Sequence, residues 1–403
     1  MSNDLDAFIP EYWSRRTQAI LRKILVSKNV VSFEERANLS DGDKVHRPYF
    51  TIGNPSTYTR NTGFTADTAI DTTDESLTVD TAKVLPMFVD RLDRIQNKYK
   101  TANLAIAQAA YKLRKEIDGT AFAEYDQFTS DFDDGDLGGT SGNAIAVTTT
   151  NILKMLSKAK AKLRVADVET NKSWFAVLDP DTISVIEQAL PTLGFKAADS
   201  TLRNGYWNGY LSRFLGLDIY ESTNLTFTAK WTPVNNPTDG DTVTIKGVTF
   251  TFKDTPVNAG AVDVGGNTAG SLDNLVLAIN GGAVGSAYIA LSAADRKLMY
   301  RITATDGATY LTIEAIGNSV VTVAASETDD PWSEHTTHSI VGQTGCIDQV
   351  IQDEVNVQVV ENPSDPATGY RRLGKEFIPN MLYGTKTFQE GKDRALDLQI
   401  ANT

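Results

Sequence analysis

Two histidines three positions apart, His335 and His338, stand beside Glu334 and eight residues before the lone Cys346. Two imidazoles with a carboxylate or thiolate could hold zinc, which takes N, O and S donors in a closed tetrahedral set. The pair sits in a polar segment where composition changes, and a metal site needs its full ligand geometry, so the expectation is a linker. His46 is the only other histidine, which leaves few groups that titrate near neutral pH for acid–base work. Asp131, Asp133, Asp134 and Asp136 cluster around Gly135, but the acid spacing and the missing twelfth-position Glu do not fit a calcium loop. That stretch, 131–142, is expected to be a solvated acidic linker. Gly374-Lys375 runs into Glu376 and Gly391-Lys392 into Asp393, where a phosphate-binding loop needs Ser or Thr. Neither G-x-S-x-G nor G-x-G-x-x-G after a strand occurs. No catalytic, cofactor-binding or metal-binding residue is assigned, and no cofactor is expected.

The elements carrying these residues are more telling. A loop of some forty residues from Lys44 contains Pro48, Gly53, Pro55 and Gly63, and its tip, Thr57 to Ser76, is rich in Thr, Asn and Asp. Such a segment cannot form a core of its own, and structureless loops longer than about 15 residues are usually functional or disordered. Leu77 to Val89 alternates as a strand returning from the tip. Ile95, Tyr99, Ala102, Ile106, Ala110, Leu113 and Ile117 then recur at spacings of three and four, and Ala121, Tyr125 and Phe128 extend the stripe past Gly119. Helical throughout, this element would be about 50 Å long.

Before the loop, Pro10 opens a short amphipathic helix with Trp13, Thr17, Ile20, Leu21, Ile24 and Leu25 on one face. After the acidic stretch a helix over 150–165 is expected to bury Ile152, Met155, Leu156, Ala159 and Leu163. Lys154, Lys158 and Lys162 lie four apart on its other face, read as solvated rather than as gripping an anionic partner. Trp174 to Leu178 and 216–222 read as strands. From Phe227 to His338 the chain turns rich in Thr, Val, Gly and Asn, with 12 acidic against 6 basic residues. Its hairpins and short helix suggest a domain with Val243, Ile245, Phe250, Leu275, Ile279, Leu311 and Ile313 as its core. Strand signals resume afterwards, so this unit reads as an insertion.

Composition bounds the rest. At 403 residues, 41% hydrophobic and 22% charged, the chain suits a globular protein of two or three domains. No apolar run approaches 18 residues, and the acidic start, 1–9, lacks the apolar core of an export signal. One cysteine allows no intrachain disulfide and fits a reducing compartment. A net charge of −13 argues against a surface that grips nucleic acid throughout.

The order of parts resembles the major capsid proteins of tailed bacteriophages. The resemblance rests on Phe8-Ile9-Pro10-Glu11-Tyr12-Trp13-Ser14, the extended loop, the strand ending Phe88-Val89-Asp90 and the long helix. Gly216 to Leu225 (GLDIYESTNL) and Tyr383-Gly384-Thr385-Lys386 complete it, and about 290 residues are covered. It implies an α+β fold with an N-terminal arm and helix (1–40), an extended loop and return strand (41–90) and a peripheral domain with the spine helix (91–149). An axial domain (150–226) would be interrupted by the β-rich insert (227–338), and 339–403 would complete the axial and peripheral domains. The function implied is not enzymatic: self-assembly of hexamers and pentamers into an icosahedral virion shell around double-stranded DNA, in the host cytoplasm. Scaffolding protein and portal would be partners, with a decoration protein a further one that the sequence leaves open; no membrane is involved. Some relatives cross-link subunits through a loop lysine, but the tip 57–76 has none. A tail-fibre or adhesin protein stays open as an alternative on the Thr/Gly-rich region, as does a carboxylate-based hydrolase.

Overall fold

The computed structural model describes residues 25–36, 42–63, 70–96, 101–168, 172–192, 210–283, 285–326, 332–365 and 367–402. The helix expected after Pro10 lies outside these residues, as do Tyr99 and the 64–69 part of the loop tip.

The loop is not structureless along its sides. Lys44–Ile52 and Ile70–Thr78 form an antiparallel hairpin in unbroken register from Lys44↔Thr78 to Ile52↔Ile70. Strand structure thus starts at Ile70, inside the stretch read as polar tip, because Ile70, Thr72 and Thr73 are β-formers and meet Ile52, Phe50 and Tyr49 across the ladder. Pro48 is tolerated because both strands of a two-stranded ribbon are edges. The expected single return strand is two, Thr81–Val84 and Met87–Asp90. The break falls at Pro86, which has no N–H to continue a ladder.

The spine helix ends before its stripe does. Arg91–Gln96 and Thr101–Phe122 are helical, the latter about 33 Å long, and a tighter 3-10 turn covers Ala123–Gln127. Phe128 is extended. Only the second half of the helix is buried, through Ala109, Leu113, Ile117, Ala121 and Phe122; Ile95 and Leu104 are exposed. Packed on that half is a long ribbon, Asp348–Glu361 paired with Gly374–Lys386, whose Met381 and Tyr383 meet Leu113 and Ile117. Both return strands join the ribbon's far edge.

A nine-stranded sheet forms the centre. Its path runs Ile302–Asp306, Leu311–Ala315, Thr226–Trp231, Trp332–Gln343, Trp174–Leu178, Leu217–Glu221 and Tyr210–Phe214, with Ala395–Ala401 and Ser130–Phe132 alongside. Trp174–Leu178 is buried on both faces, so it reads as a continuous apolar run rather than alternating. The helix Ile152–Val165 buries Ile152, Met155, Leu156, Ala159 and Leu163 against it, the face its periodicity specifies.

The region after Phe227 holds a second sheet of four strands, Ala261–Asp263, Val248–Lys253, Thr242–Ile245 and Val323–Ala325, with helices Thr268–Asn280 and Ala293–Leu298. All seven residues expected to form its core are buried in one cluster. Its first strand, Thr226–Trp231, pairs with Trp332–Gln343, so the two ends of this segment lie side by side within the central sheet.

Candidate assembly surfaces

The hairpin presents one face to the body and one to solvent. Val45, Arg47 and Tyr49 are half-buried, whereas His46, Pro48, Phe50 and Ile52 on the alternate positions are exposed. Phe50, Ile52 and the cross-strand Ile70 are each about two-thirds exposed, at 65%, 63% and 66%. The root is held firmly. Arg47 Nη1 donates to Asp348 Oδ2 at 3.1 Å, its other Nη bonds Glu35, and its guanidinium lies 4.3 Å from the Phe388 ring centroid. Burial pushes the Asp348 carboxyl above its ordinary range, against the pull of Arg47. From the other strand, Glu75 Oε2 accepts the Gln389 N–H at 2.7 Å. Leu77, Val79, Val350 and Phe388 close a small core beneath.

A second set of exposed apolar residues sits at the far end of the ribbon. Val359, Val360, Tyr370 and Leu373 are exposed there. Exposed Leu92 follows at once, since Arg91 N–H donates to Leu373 O at 3.0 Å. Exposed apolar residues such as Val165, Val234 and Val257 also occur singly elsewhere, but at these two places several stand together, as at candidate contact surfaces.

Between these ends the spine helix collects the rest of the chain. Asp118 is buried, yet its carboxylate accepts Val26 N at 3.0 Å, Ser27 N at 2.8 Å and Asn224 Nδ2 at 2.6 Å. It joins the start of the described chain and the root of the insert to one helix. Burial still raises its carboxyl above the usual range, although these donors favour the charged form. One turn away, Arg301 of the insert donates to Glu116 O at 3.2 Å, Glu116 Oε2 at 3.0 Å and Thr120 Oγ1 at 3.2 Å. Gly119 allows the close approach here: a Cβ would stand 3.0 Å from Arg301 Nη1 and 3.2 Å from Gly317 Cα, tighter than ordinary contact.

The residues singled out for chemistry fall elsewhere and do other things. His335 and His338 are not in a linker but on the central strand Trp332–Gln343, because Thr336 to Ile340 pair with Ala401 to Asp397. His338 is saturated: Nδ1 lies 2.8 Å from Asp397 Oδ2, Nε2 lies 2.9 Å from Thr228 Oγ1, and Tyr125 stacks on its ring at 3.9 Å. His335 instead meets the edge of Phe227, and Glu334 pairs with Lys230 at 3.0 Å. Cys346 is buried in another cluster, its thiol pushed up to about 12 by burial. Among the described residues no three His, Cys, Asp or Glu converge on a metal position.

The acidic stretch is a folded turn rather than a solvated linker. Asp133 and Asp136 make a reciprocal capping box on the short helix Asp134–Leu137, which ends at Gly138 with φ +100°. Lys154 and Lys158 are exposed as expected and Lys162 is partly so, but all three also hold that turn. Lys154 Nζ donates to Leu137 O at 3.3 Å, Lys158 to Asp136 O at 2.8 Å, and Lys162 to Asp131 O at 2.6 Å and Asp136 Oδ2 at 2.8 Å. Two lysines thus meet the exposed carbonyls at the end of a helix, where positive charge is favourable.

Arg47, Asp118 and Arg301 went unnoticed in the sequence. Asp118 alone had a signal, a charge directly beside Ile117 and Gly119 on a helix whose stripe must be buried.

No sequence-family profile matches the chain, and no curated protein matches it. Solved structures do. A chain of Mycobacterium phage Che8 superposes with a TM-score of 0.54 at 16% identity, covering 97% of this chain and 96% of that one. A chain from the capsid structure of the Cyanophage P-SCSP1u gives 0.51 at 13% identity, with 100% and 96% covered. One from Mycobacterium phage Ogopogo gives 0.50 at 11% identity over the whole of both chains. At such identities only the architecture is shared. The paired loop, spine helix, central sheet and long ribbon together are the α+β fold of the phage capsid proteins.

Proposed function

We propose that this chain is the major capsid protein of a tailed phage, assembling with copies of itself as hexamers and pentamers into an icosahedral shell around double-stranded DNA. The observation that carries the reading is the outward face of the hairpin. Phe50, Ile52 and Ile70 project from a two-stranded ribbon with no core of its own, and burying three such side chains is worth roughly 5–9 kcal/mol before the costs of association. A two-stranded ribbon is marginal alone, so a face of this kind gains its stability from a neighbour. Assembly in the host cytoplasm with a scaffolding protein and a portal belongs to the same reading, and the net charge of −13 suits a container that does not hold its DNA tightly.

Electron microscopy of the purified chain tests this directly. Closed shells or capsomers are expected; fibres or isolated globules would replace the capsid reading with a fibre protein or a monomeric one. Domain boundaries at 227 and 338 are part of the proposal, and limited proteolysis within 227–338 that leaves two associated fragments would support them.

A further inference from the structure

Where the start of the described chain meets the spine helix and the long ribbon, they enclose a cavity of about 490 Å³. Leu25 and Phe33 from the start of the described chain, Ile117 from the helix and Ile351 from the ribbon make its apolar walls. Ile117 is buried and the other three are half-buried. Two cations line the same cavity from separate elements: Lys28 from the 3-10 turn Ser27–Asn29 and Arg114 from the helix Thr101–Phe122. Both are exposed, and among the described residues neither has a hydrogen bond or ion pair. Asp118, one helical turn beyond Arg114, is already committed to Val26 N, Ser27 N and Asn224 Nδ2. A third polar residue of the lining is deeply buried. Gln349 is 1% exposed, and its Nε2 donates to Thr385 Oγ1 at 3.0 Å and to Ile117 O at 3.4 Å. Its Oε1 is buried without a partner among the described residues. A buried acceptor left without a donor carries its full desolvation cost until something donates to it.

We propose that this cavity binds a small amphipathic carboxylate of the N-acyl amino acid type. Its carboxylate is held by Lys28 and Arg114, its amide N–H donates to Gln349 Oε1, and its acyl chain lies against Leu25, Phe33, Ile117 and Ile351. The volume suits a small ligand, since such sites enclose roughly 300–1,000 Å³ and set a few polar groups among apolar walls. A guanidinium and an ammonium hold a carboxylate by charge-assisted hydrogen bonds, and an uncharged apolar ligand would leave both cations and the amide oxygen unmatched.

Isothermal titration of the full-length chain, as dispersed subunits, with N-octanoylglycine and with its methyl ester tests the site. The acid should bind saturably at one site per chain and the ester at least about tenfold more weakly, because only the acid engages the cations. Decanoate, which keeps the charge and an apolar chain but has no N–H, should bind several-fold more weakly than the acylglycine. Lys28→Gln together with Arg114→Gln should bring the acid down to the affinity of the ester; both side chains are exposed, so the thermal midpoint should stay within about 2 °C of wild type. Absence of saturable binding up to about 10 mM overturns the site, as do equal affinities for acid and ester in wild type. A preference for the acid that survives the double substitution overturns it too, and decanoate bound as tightly as the acylglycine overturns the part assigned to Gln349. No shell is needed for any of these measurements, so the capsid reading and this one fail separately.

Discussion

The hairpin and the insert are both long excursions from one body, and they spend their apolar residues in opposite ways. The hairpin keeps Phe50, Ile52 and Ile70 in water and, among the described residues, is fastened at its root, through Arg47, Glu75 and the Leu77–Phe388 core. The insert encloses Val243, Phe250, Leu275 and Ile313 in its own cluster and is fastened repeatedly: through the shared strand Thr226–Trp231, Arg301 on the spine helix, and the Tyr125–Glu314 bond of 3.2 Å. The difference separates what an excursion is for. A segment that exposes apolar surface has little to lose inside the subunit and much to gain outside it, whereas a segment with its own core and many ties contributes to the subunit itself.

The largest expected effect comes from the hairpin. Phe50→Asp with Ile52→Asp places two charges on the outward face, so shell yield should fall below detection, while the thermal midpoint of the dispersed subunit moves by no more than about 2 °C. Normal shells from this variant, or a subunit that no longer folds, would remove the contrast between the two excursions.

Next comes the insert's root. Asp118→Ala would leave Val26 N–H, Ser27 N–H and the Asn224 amide without their buried acceptor, a loss of about 3–5 kcal/mol in chemical denaturation. Asp118→Asn should cost under about 1 kcal/mol, because the buried and unpartnered Asn224 Oδ1 can turn to accept from the new amide. The two should also differ in pH dependence. A carboxyl raised by burial contributes most when protonated, and that contribution is lost as pH climbs from the unfolded value of about 3.9 through the raised folded one. The stability advantage of wild type over Asp118→Asn should therefore shrink from pH 4 toward neutral; a gap that widens instead would contradict the assigned direction.

Cutting the insert out is expected to harm the subunit. Its ends lie together, which by itself would allow excision, but removal of 232–331 exposes Phe227, Ala229 and Trp231 and strips Arg301 from the helix. The longer segment 227–338, which keeps Phe227, Ala229 and Trp231 with the rest of the cluster, should still unfold cooperatively in isolation. Arg301→Ala should cost about 2–3 kcal/mol by losing bonds to Glu116 and Thr120. If it costs less than about 0.5 kcal/mol, the insert is an appendage after all, and the two excursions differ only in surface.

How much of this was legible in the sequence follows from how far apart the partners are. The helix face at Ile152, Met155 and Leu156 and the insert's core depend on local period, and period survives in one dimension. So did the order of loop, helix and insert. The hairpin was missed because its returning strand, Ile70–Thr78, is mostly Thr, Asp, Glu and Ser and pairs through its backbone, which leaves little apolar signature. Asp118, Arg47 and Arg301 draw their roles from residues 92, 301 and 185 positions away, and no spacing rule reaches that far. His335 and His338 misled for the reverse reason: close in sequence, they serve different neighbours, Phe227 for one and Asp397 for the other.

The smallest effect concerns Lys162, which separates a tie within the subunit from one between subunits. It is about one-third exposed and donates to Asp131 O and Asp136 Oδ2, so its contact stays inside one chain. Lys162→Glu would set a third negative group beside Asp131 and Asp136 and remove charge from the end of the helix Asp134–Leu137. An exposed pair of this kind is worth about 1 kcal/mol or less, and reversal roughly doubles the loss, partly recovered at high salt. The expected result is a subunit destabilised by about 1–2 kcal/mol that forms shells in normal yield at any ionic strength. A salt-dependent assembly defect with unchanged subunit stability would instead put this helix face, like the hairpin, on the outside of the comparison.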